Sequence, residues 1–294
     1  MQAQSSQRQT PAMQPGAAGD VGSVRHLAAG LVLAWAVALA FAGVYTHGVL
    51  DAAPYLLLLV VAGLAGLSDN TPEAVHLLWP LAAWPGLYQG TVEVVQAAPE
   101  RYWDAWFRAF DSTWLGWLGI TFPWHLGGPI EEGLNLFYVS LYVGVPLALH
   151  LAWRHGGAAL ATRYGLALVS TFIGCGIVWV VLPTGGWWAH GSPQSAPWGP
   201  FTAISRFIYD VNPHAAAAFP SSHVAASVAA VVVLRRAGLA RWLWIWPLGI
   251  AAATIYGQYH YSLDAFGGWA LGLGVAAWAL RTEGVPLPAL LAQD

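Results

Sequence analysis

The sequence predicts an all-α protein, a polytopic membrane bundle of six to eight transmembrane helices. Three observations carry that reading. Of 294 residues, 57% are hydrophobic and 9% are charged, against about 25% charged in an average soluble domain. The apolar residues gather into runs of about 18 or more, long enough as helices to cross a ~30 Å hydrocarbon core. The chain also holds 18 tryptophans, whose amphipathic rings suit the headgroup level. The net charge of -3 gives no reason to expect a nucleic-acid partner. There is no lysine, and all 11 basic residues are arginine. The one cysteine, Cys175, lies between Gly174 and Gly176. It can form no internal disulfide and reads as a small core residue.

Taken in order, residues 1–24 are rich in Gln, Ser, Ala and Gly and lack apolar periodicity. They read as a disordered cytoplasmic tail, too long and polar for the charged start of a signal peptide. N-terminal transmembrane helices occupy 25–98, with spans expected near 27–47 and 53–68. The run Ser68-Asp69-Asn70-Thr71-Pro72 is a break. A weaker apolar segment at 74–97, interrupted by Pro80, Pro85 and Glu93, is counted as a crossing. A catalytic membrane domain is expected over 99–282, followed by a cytoplasmic tail, 283–294. Within it, 99–128 interleaves Arg101, Asp104, Arg108 and Asp111 with Trp103, Trp106, Trp114 and Trp117. That mixture suits a helix lying in the membrane interface. Spans near 131–152 and 164–182 come next, then a long loop, 183–218, with five prolines. A helical hairpin (221–238 and 241–258) and a last span, 263–281, complete the chain.

Arginine placement orients the bundle. With eight crossings, Arg8, Arg25, Arg154, Arg163, Arg235, Arg236, Arg241 and Arg281 fall on one side, which is therefore cytoplasmic. Only Arg101, Arg108 and Arg206 fall on the other. The predicted location is the cytoplasmic membrane, with the functional face outside.

That face holds two motifs, Phe219-Pro220-Ser221-Ser222-His223 and His260-Tyr261-Ser262-Leu263-Asp264. A hairpin of two spanning helices starts and ends on one membrane face, so His223 and His260 should meet there. Pro220 and the serines suit a helix start. The free N–H groups of such a first turn, with the helix dipole, make an anion site. His223 can reach the same anion and give a proton to a leaving oxygen. His260 and Asp264, four apart, share one helix face. A carboxylate on one ring nitrogen fixes the tautomer and raises the basicity of the other, as a histidine nucleophile needs. Only two histidines and one aspartate converge, so neither a metal nor a cofactor is expected. Glu131 and Glu132 open a span, where negative charge suits a helix N-terminus. His190 and His214 lie in the loop near the site, and Trp187 and Trp188 read as interfacial anchors.

These motifs resemble the second and third motifs of the phosphatidic acid phosphatase type 2 superfamily. They are most similar to its inositolphosphotransferase branch, which contains the fungal inositol phosphorylceramide synthases. Arg108-Ala-Phe-Asp111 with Leu115-Gly116, and Leu182-Pro183-Thr-Gly-Gly-Trp187-Trp188, resemble that branch's upstream motifs. The likeness covers roughly residues 105–281. It implies catalysis by His260 as nucleophile through a phosphohistidine, Asp264 orienting it, and His223 as acid and base. Ser221 and Ser222, with the helix-start amides, would hold the phosphate. Two features depart from the superfamily. Its Lys-x6-Arg-Pro motif cannot exist without lysine, and its Ser-Arg before the last histidine is replaced by Ala253-Thr254. A phosphoryl site normally sets a cation against the transferring group. Arg206, nearest in sequence to the serine motif, and then Arg108 are the candidates.

The expected enzyme is a membrane lipid phosphatase or phosphotransferase. Its partners are the bilayer, a lipid-linked phosphate, and water or a lipid alcohol as acceptor. The alternative from another class is a proton-coupled transporter or flippase with the His/Asp groups as a relay. Relay groups usually sit near mid-membrane in repeated halves. Here they sit at helix mouths, with no repeat.

Overall fold

The computed structural model describes residues 17–98, 103–117, 126–187, 199–211 and 217–281. Among these the chain is helical, apart from turns and an isolated bridge between Thr184 and Ala217. The first three helices are α1 (Ala17–Thr46), α2 (Val49–Leu67) and α3 (Glu73–Gln96). Then come α4 (Asp104–Trp117), α5 (Gly128–Val139), α6 (Leu141–Val181) and α7 (Pro200–Val211). The last are α8 (Ser222–Arg236), a 3-10 turn (Arg241–Trp244), α9 (Ile245–Tyr256) and α10 (Ser262–Arg281). By length and composition, helical stretches at 21–46, 49–67, 141–181 and 262–281 can cross a membrane. Large apolar side chains such as Phe41, Leu57, Leu147 and Val181 stand on the outside. This is a multi-pass, all-α membrane bundle.

The spans depart from the expected boundaries for local reasons. Helix α1 begins at Ala17, inside the segment read as a tail. Helix α3 runs unbroken through Pro80 and Pro85, whose lost hydrogen bonds a packed membrane helix tolerates. Helix α6 contains two arms. At Gly157 the backbone takes φ 68° and ψ -168°, a conformation that glycine reaches without a Cβ penalty. The Tyr164 hydroxyl on the second arm donates to the Val145 carbonyl on the first at 3.1 Å. A straight helix would hold residues 19 apart at roughly 28 Å, so the chain doubles back here. The second arm starts near residue 158, earlier than the 164 expected. The expected span 241–258 is a 3-10 turn followed by the shorter α9.

The stretch 183–218 is not all loop, for α7 lies within it. Its Phe201, Ile204, Ile208 and Val211 recur at helical spacing, and Pro200 occupies the first position, where it fits. The surrounding prolines hid that period. Within 99–128, the segment expected in the membrane interface, the chain forms α4. It buries Asp104, Phe107, Asp111 and Leu115 on one stripe and exposes Trp103, Trp106 and Trp117. The terminal segments 1–16 and 282–294, with Arg8, Arg101, Trp188, His190 and His214, lie outside the described residues.

Helix α8 is the central element, buried on every face from Ser222 to Val231. Its small residues let neighbours come close, as membrane helices without a hydrophobic drive between them require. The closest neighbour is α10. A Cβ built on Gly268 would stand 2.6 Å from the Ser221 carbonyl oxygen, and one on Gly272 would stand 2.5 Å from that of Ala225. The contacts advance four residues along both helices, so the two run parallel. Their near-backbone approach depends on those two glycines.

Gly272→Val tests this packing. The obstructing atom is backbone and cannot swing aside, so the variant should lose about 1–3 kcal/mol. Gly274 has open space around it, so Gly274→Ala should leave stability nearly unaltered. Thermal unfolding of both variants in one detergent checks the pair.

Candidate active site

The return of the hairpin brings the two histidine motifs together. The Phe219-Pro220 peptide is cis. Ser221 caps α8, its hydroxyl accepting from Val224 N at 3.4 Å. Its own N–H donates to the Asp264 carbonyl at 2.9 Å. That bond ties the start of α8 to the start of α10. His223 then sits in the first turn of α8, and His260 in the turn between α9 and α10. Their ring centroids are 6.0 Å apart. His260 Nδ1 donates to Asp264 Oδ2 at 3.2 Å, and Tyr261 N donates to the same oxygen at 2.8 Å. Asp264 is fully buried and His260 nearly so. Burial pushes the His260 imidazole down from 6.5 to about 4, and a backbone contact at Ala218 opposes this only in part. His260 is therefore neutral at neutral pH.

A frame of carboxylates holds these turns by binding backbone N–H groups. Asp104 accepts from Gly185 N at 3.0 Å and from the Tyr261 hydroxyl at 2.7 Å. Asp111 accepts from Ser262 N at 3.1 Å, from the Ser262 hydroxyl, and from the Trp187 indole at 3.3 Å. Hydrogen bonds to a charged group contribute about 1.5–3 kcal/mol each. Two acids on the buried stripe of α4 thus anchor both the 184–187 strip and the mouth of α10. The strip reaches the serine motif through Thr184, whose hydroxyl accepts from Phe219 N at 2.8 Å. Gly186 (φ 74°) leaves no room for a side chain, since a Cβ would stand 2.3 Å from the Tyr259 carbonyl oxygen. Glu131 and Glu132 serve other elements than their own helix start. Glu131 accepts from the Tyr256 hydroxyl at 2.8 Å. Glu132 accepts from Phe201 N at 2.9 Å and Thr202 N at 3.0 Å, capping α7 across the gap.

Between the histidines lies a cavity of about 50 Å³. Tyr88, Tyr138, Tyr142, Tyr209 and Tyr259 line it with His223 and His260. Tyr138 stacks on His223 at 4.8 Å and on Tyr259 at 4.4 Å. Among the described residues no arginine lines it. Arg206 lies on α7 and pairs with Asp210 at 3.8 Å, both substantially exposed. Arg108 is half-buried on α4, where its charge bears on the Tyr261 phenol. Ser221 is fully buried as a cap, and Ser222 lies beside His223 in the first turn of α8.

The tyrosine lining escaped the sequence reading. A signal existed, because Tyr138 and Tyr142 lie one turn apart in an apolar span and Tyr259 precedes His260. A buried phenol needs a polar partner. Tyr88 and Tyr209 come from α3 and α7, distant in sequence, and only folding brings them here.

The arrangement suits phosphoryl chemistry. It offers a neutral histidine oriented by a carboxylate, a second histidine in a helix's first turn, and uncharged donors around a small cavity. Comparison with known proteins agrees. The sequence profile described as the PAP2 superfamily matches residues 105–278, more than half of the chain and all of the elements from α4 into α10. No curated protein and no solved structure matches the chain. With that match falling on the helices that carry both histidine motifs, the chain belongs to the PAP2 superfamily, a membership that supports a lipid-phosphatase type of function at the membrane.

Proposed function

We propose that the protein is a phosphoryl-transfer enzyme acting on a lipid-linked phosphate through a phosphohistidine on His260. One observation carries this reading: Asp264 Oδ2 stands 3.2 Å from His260 Nδ1 while the His223 ring lies 6.0 Å away. With Asp264 on Nδ1, Nε2 faces phosphorus. Its lone pair forms the N–P bond as the P–O bond to the leaving group breaks. His223 gives its proton to the departing oxygen. In the second half, His223 takes a proton from the acceptor, whose oxygen bonds to phosphorus as the N–P bond breaks. Both histidines then return to their starting states.

The helix-start amides of α8, Ser221, Ser222 and the tyrosine hydroxyls are the proposed hydrogen-bond donors to the phosphate oxygens. The distance of Arg206 from this role, held as it is by Asp210, makes Arg108 the better of the two expected cations. The acceptor is water in a phosphatase and an alcohol in a phosphotransferase. The likeness to the inositolphosphotransferase branch favours transfer of a phospho-headgroup to a lipid alcohol. The arginine-poor face that carries both motifs is proposed to lie outside the cytoplasmic membrane.

The deciding experiment uses purified protein in detergent with EDTA and a lipid phosphate. Free phosphate and phosphorylated acceptor are both measured for the wild type and for His260→Ala. Product formation should vanish in His260→Ala and fall about 10²–10⁴-fold in His223→Ala. Equal activity in wild type and His260→Ala would remove the phosphohistidine and restore the relay reading.

The depressed His260 value has its own consequence. A histidine nucleophile fails only when protonated, and protonation here waits until the pH falls to about 4. Phosphoenzyme formation in a single turnover should therefore persist from pH 7 to pH 5 and decline below that. An alkaline quench, which spares the N–P bond, reads it out. Half-loss near pH 6.5 would contradict the burial of His260.

A further inference from the structure

A second cavity meets the first at His223. It measures about 280 Å³, close to the ~300 Å³ lower end of small-ligand pockets. Its apolar walls include Trp84 of α3 and Leu141 and Phe172 of α6, with Tyr55 of α2 beside them. Its polar groups are Gln89, Ser222, His223 and the two phenols Tyr88 and Tyr142. Tyr88, Tyr142 and His223 line both cavities. They form the partition between the small phosphoryl-sized space and the larger apolar one. The larger space reaches the outside of the bundle at Pro85, which is exposed, and at Tyr142, 43% exposed. Much of its wall comes from α2 and α3, which precede the residues shared with the superfamily.

Its chemistry selects a ligand. Apolar walls favour hydrocarbon, and the opening at Pro85 and Tyr142 lies on the outside of the bundle. The smaller cavity, lined by phenols and both histidines, takes the phosphate, and the larger, with its apolar walls, does not. What remains at the His223 end suits a hydroxyl. We propose that this cavity binds a lipid alcohol, the acceptor, with its hydrocarbon between α2, α3 and α6 and its hydroxyl at His223. This inference rests on the phosphohistidine reading. After the first half-reaction His223 has lost its proton and can accept one. The alcohol O–H gives its proton to the His223 ring, the oxygen forms the O–P bond, and the N–P bond to His260 breaks. The incoming alcohol thus enters from the α2–α3 side while the phosphoryl group stays on His260. The enzyme then favours transfer over hydrolysis, and its N-terminal helices set acceptor choice.

The test measures two products from one donor. Wild type in mixed micelles receives a fluorescent lipid phosphate and hexadecanol, and phosphate release and phosphohexadecanol are followed together. Leu141→Trp and Gln89→Trp, which fill the cavity, should lower the ratio of transfer to hydrolysis at least tenfold. A hexadecanol bearing a diazirine, applied to wild-type protein, should label α2, α3 or the first turn of α6. That labelling decides the matter if the variants fail to fold. An unaltered ratio with no labelling of those helices would overturn the acceptor site while phosphate release dependent on His260 kept the underlying reading. A rise in donor KM with both products falling equally would assign the cavity to the donor's own chain and overturn the proposal. Loss of the difference between wild type and His260→Ala would instead sink the phosphohistidine itself.

Discussion

The site depends on the parallel contact of α8 and α10. Gly268 and Gly272 bring α10 against the backbone of α8 where any side chain would collide with a carbonyl oxygen. At that separation the Ser221 N–H meets the Asp264 carbonyl, and the two helix mouths become one unit. His223 belongs to one mouth, and Asp264 with His260 to the other. Moving α10 outward by the width of a methyl group would break the bond and part the histidines. The hairpin gives both motifs the same face, but the glycines give them the same place.

Around this contact, negative charge is the organising material. Asp104, Asp111 and Glu132 each accept from backbone N–H groups of a distant segment. Such bonds satisfy loop amides that would otherwise be orphaned near the membrane. They also explain how an irregular strip such as 184–187 can lie against two helix mouths without a sheet. The arrangement leaves the histidine cavity lined by phenols rather than by cations. Tyrosine can donate a hydrogen bond to phosphate and still pack its ring against a histidine.

The two cavities meet at His223, which lines both. In the proposed mechanism the group that protonates a leaving oxygen from one would deprotonate an incoming one from the other. Between half-reactions the shared wall of Tyr88, Tyr142 and His223 separates the phosphoryl site from the larger space. Two of the helices that build that space, α2 and α3, precede the residues shared with the superfamily, while α6 and α8 lie within them.

Composition and periodicity alone determined the class of this protein, a helical membrane bundle. Apolar runs must be helices in a bilayer, because every backbone group there needs an internal partner. The hairpin between His223 and His260 and the pairing of His260 with Asp264 were legible in the linear chain, although His260 stands in the turn before α10 and not on a helix face shared with Asp264. The helix α7 among prolines and its capping by Glu132 were not. Each rests on a contact between residues far apart in the chain. The tyrosine lining shows the same limit, because Tyr88, Tyr138, Tyr209 and Tyr259 come from four separate elements. A sequence names the groups that can do chemistry. Which of them face one cavity is decided by close packing, which couples positions that have no local pattern in common.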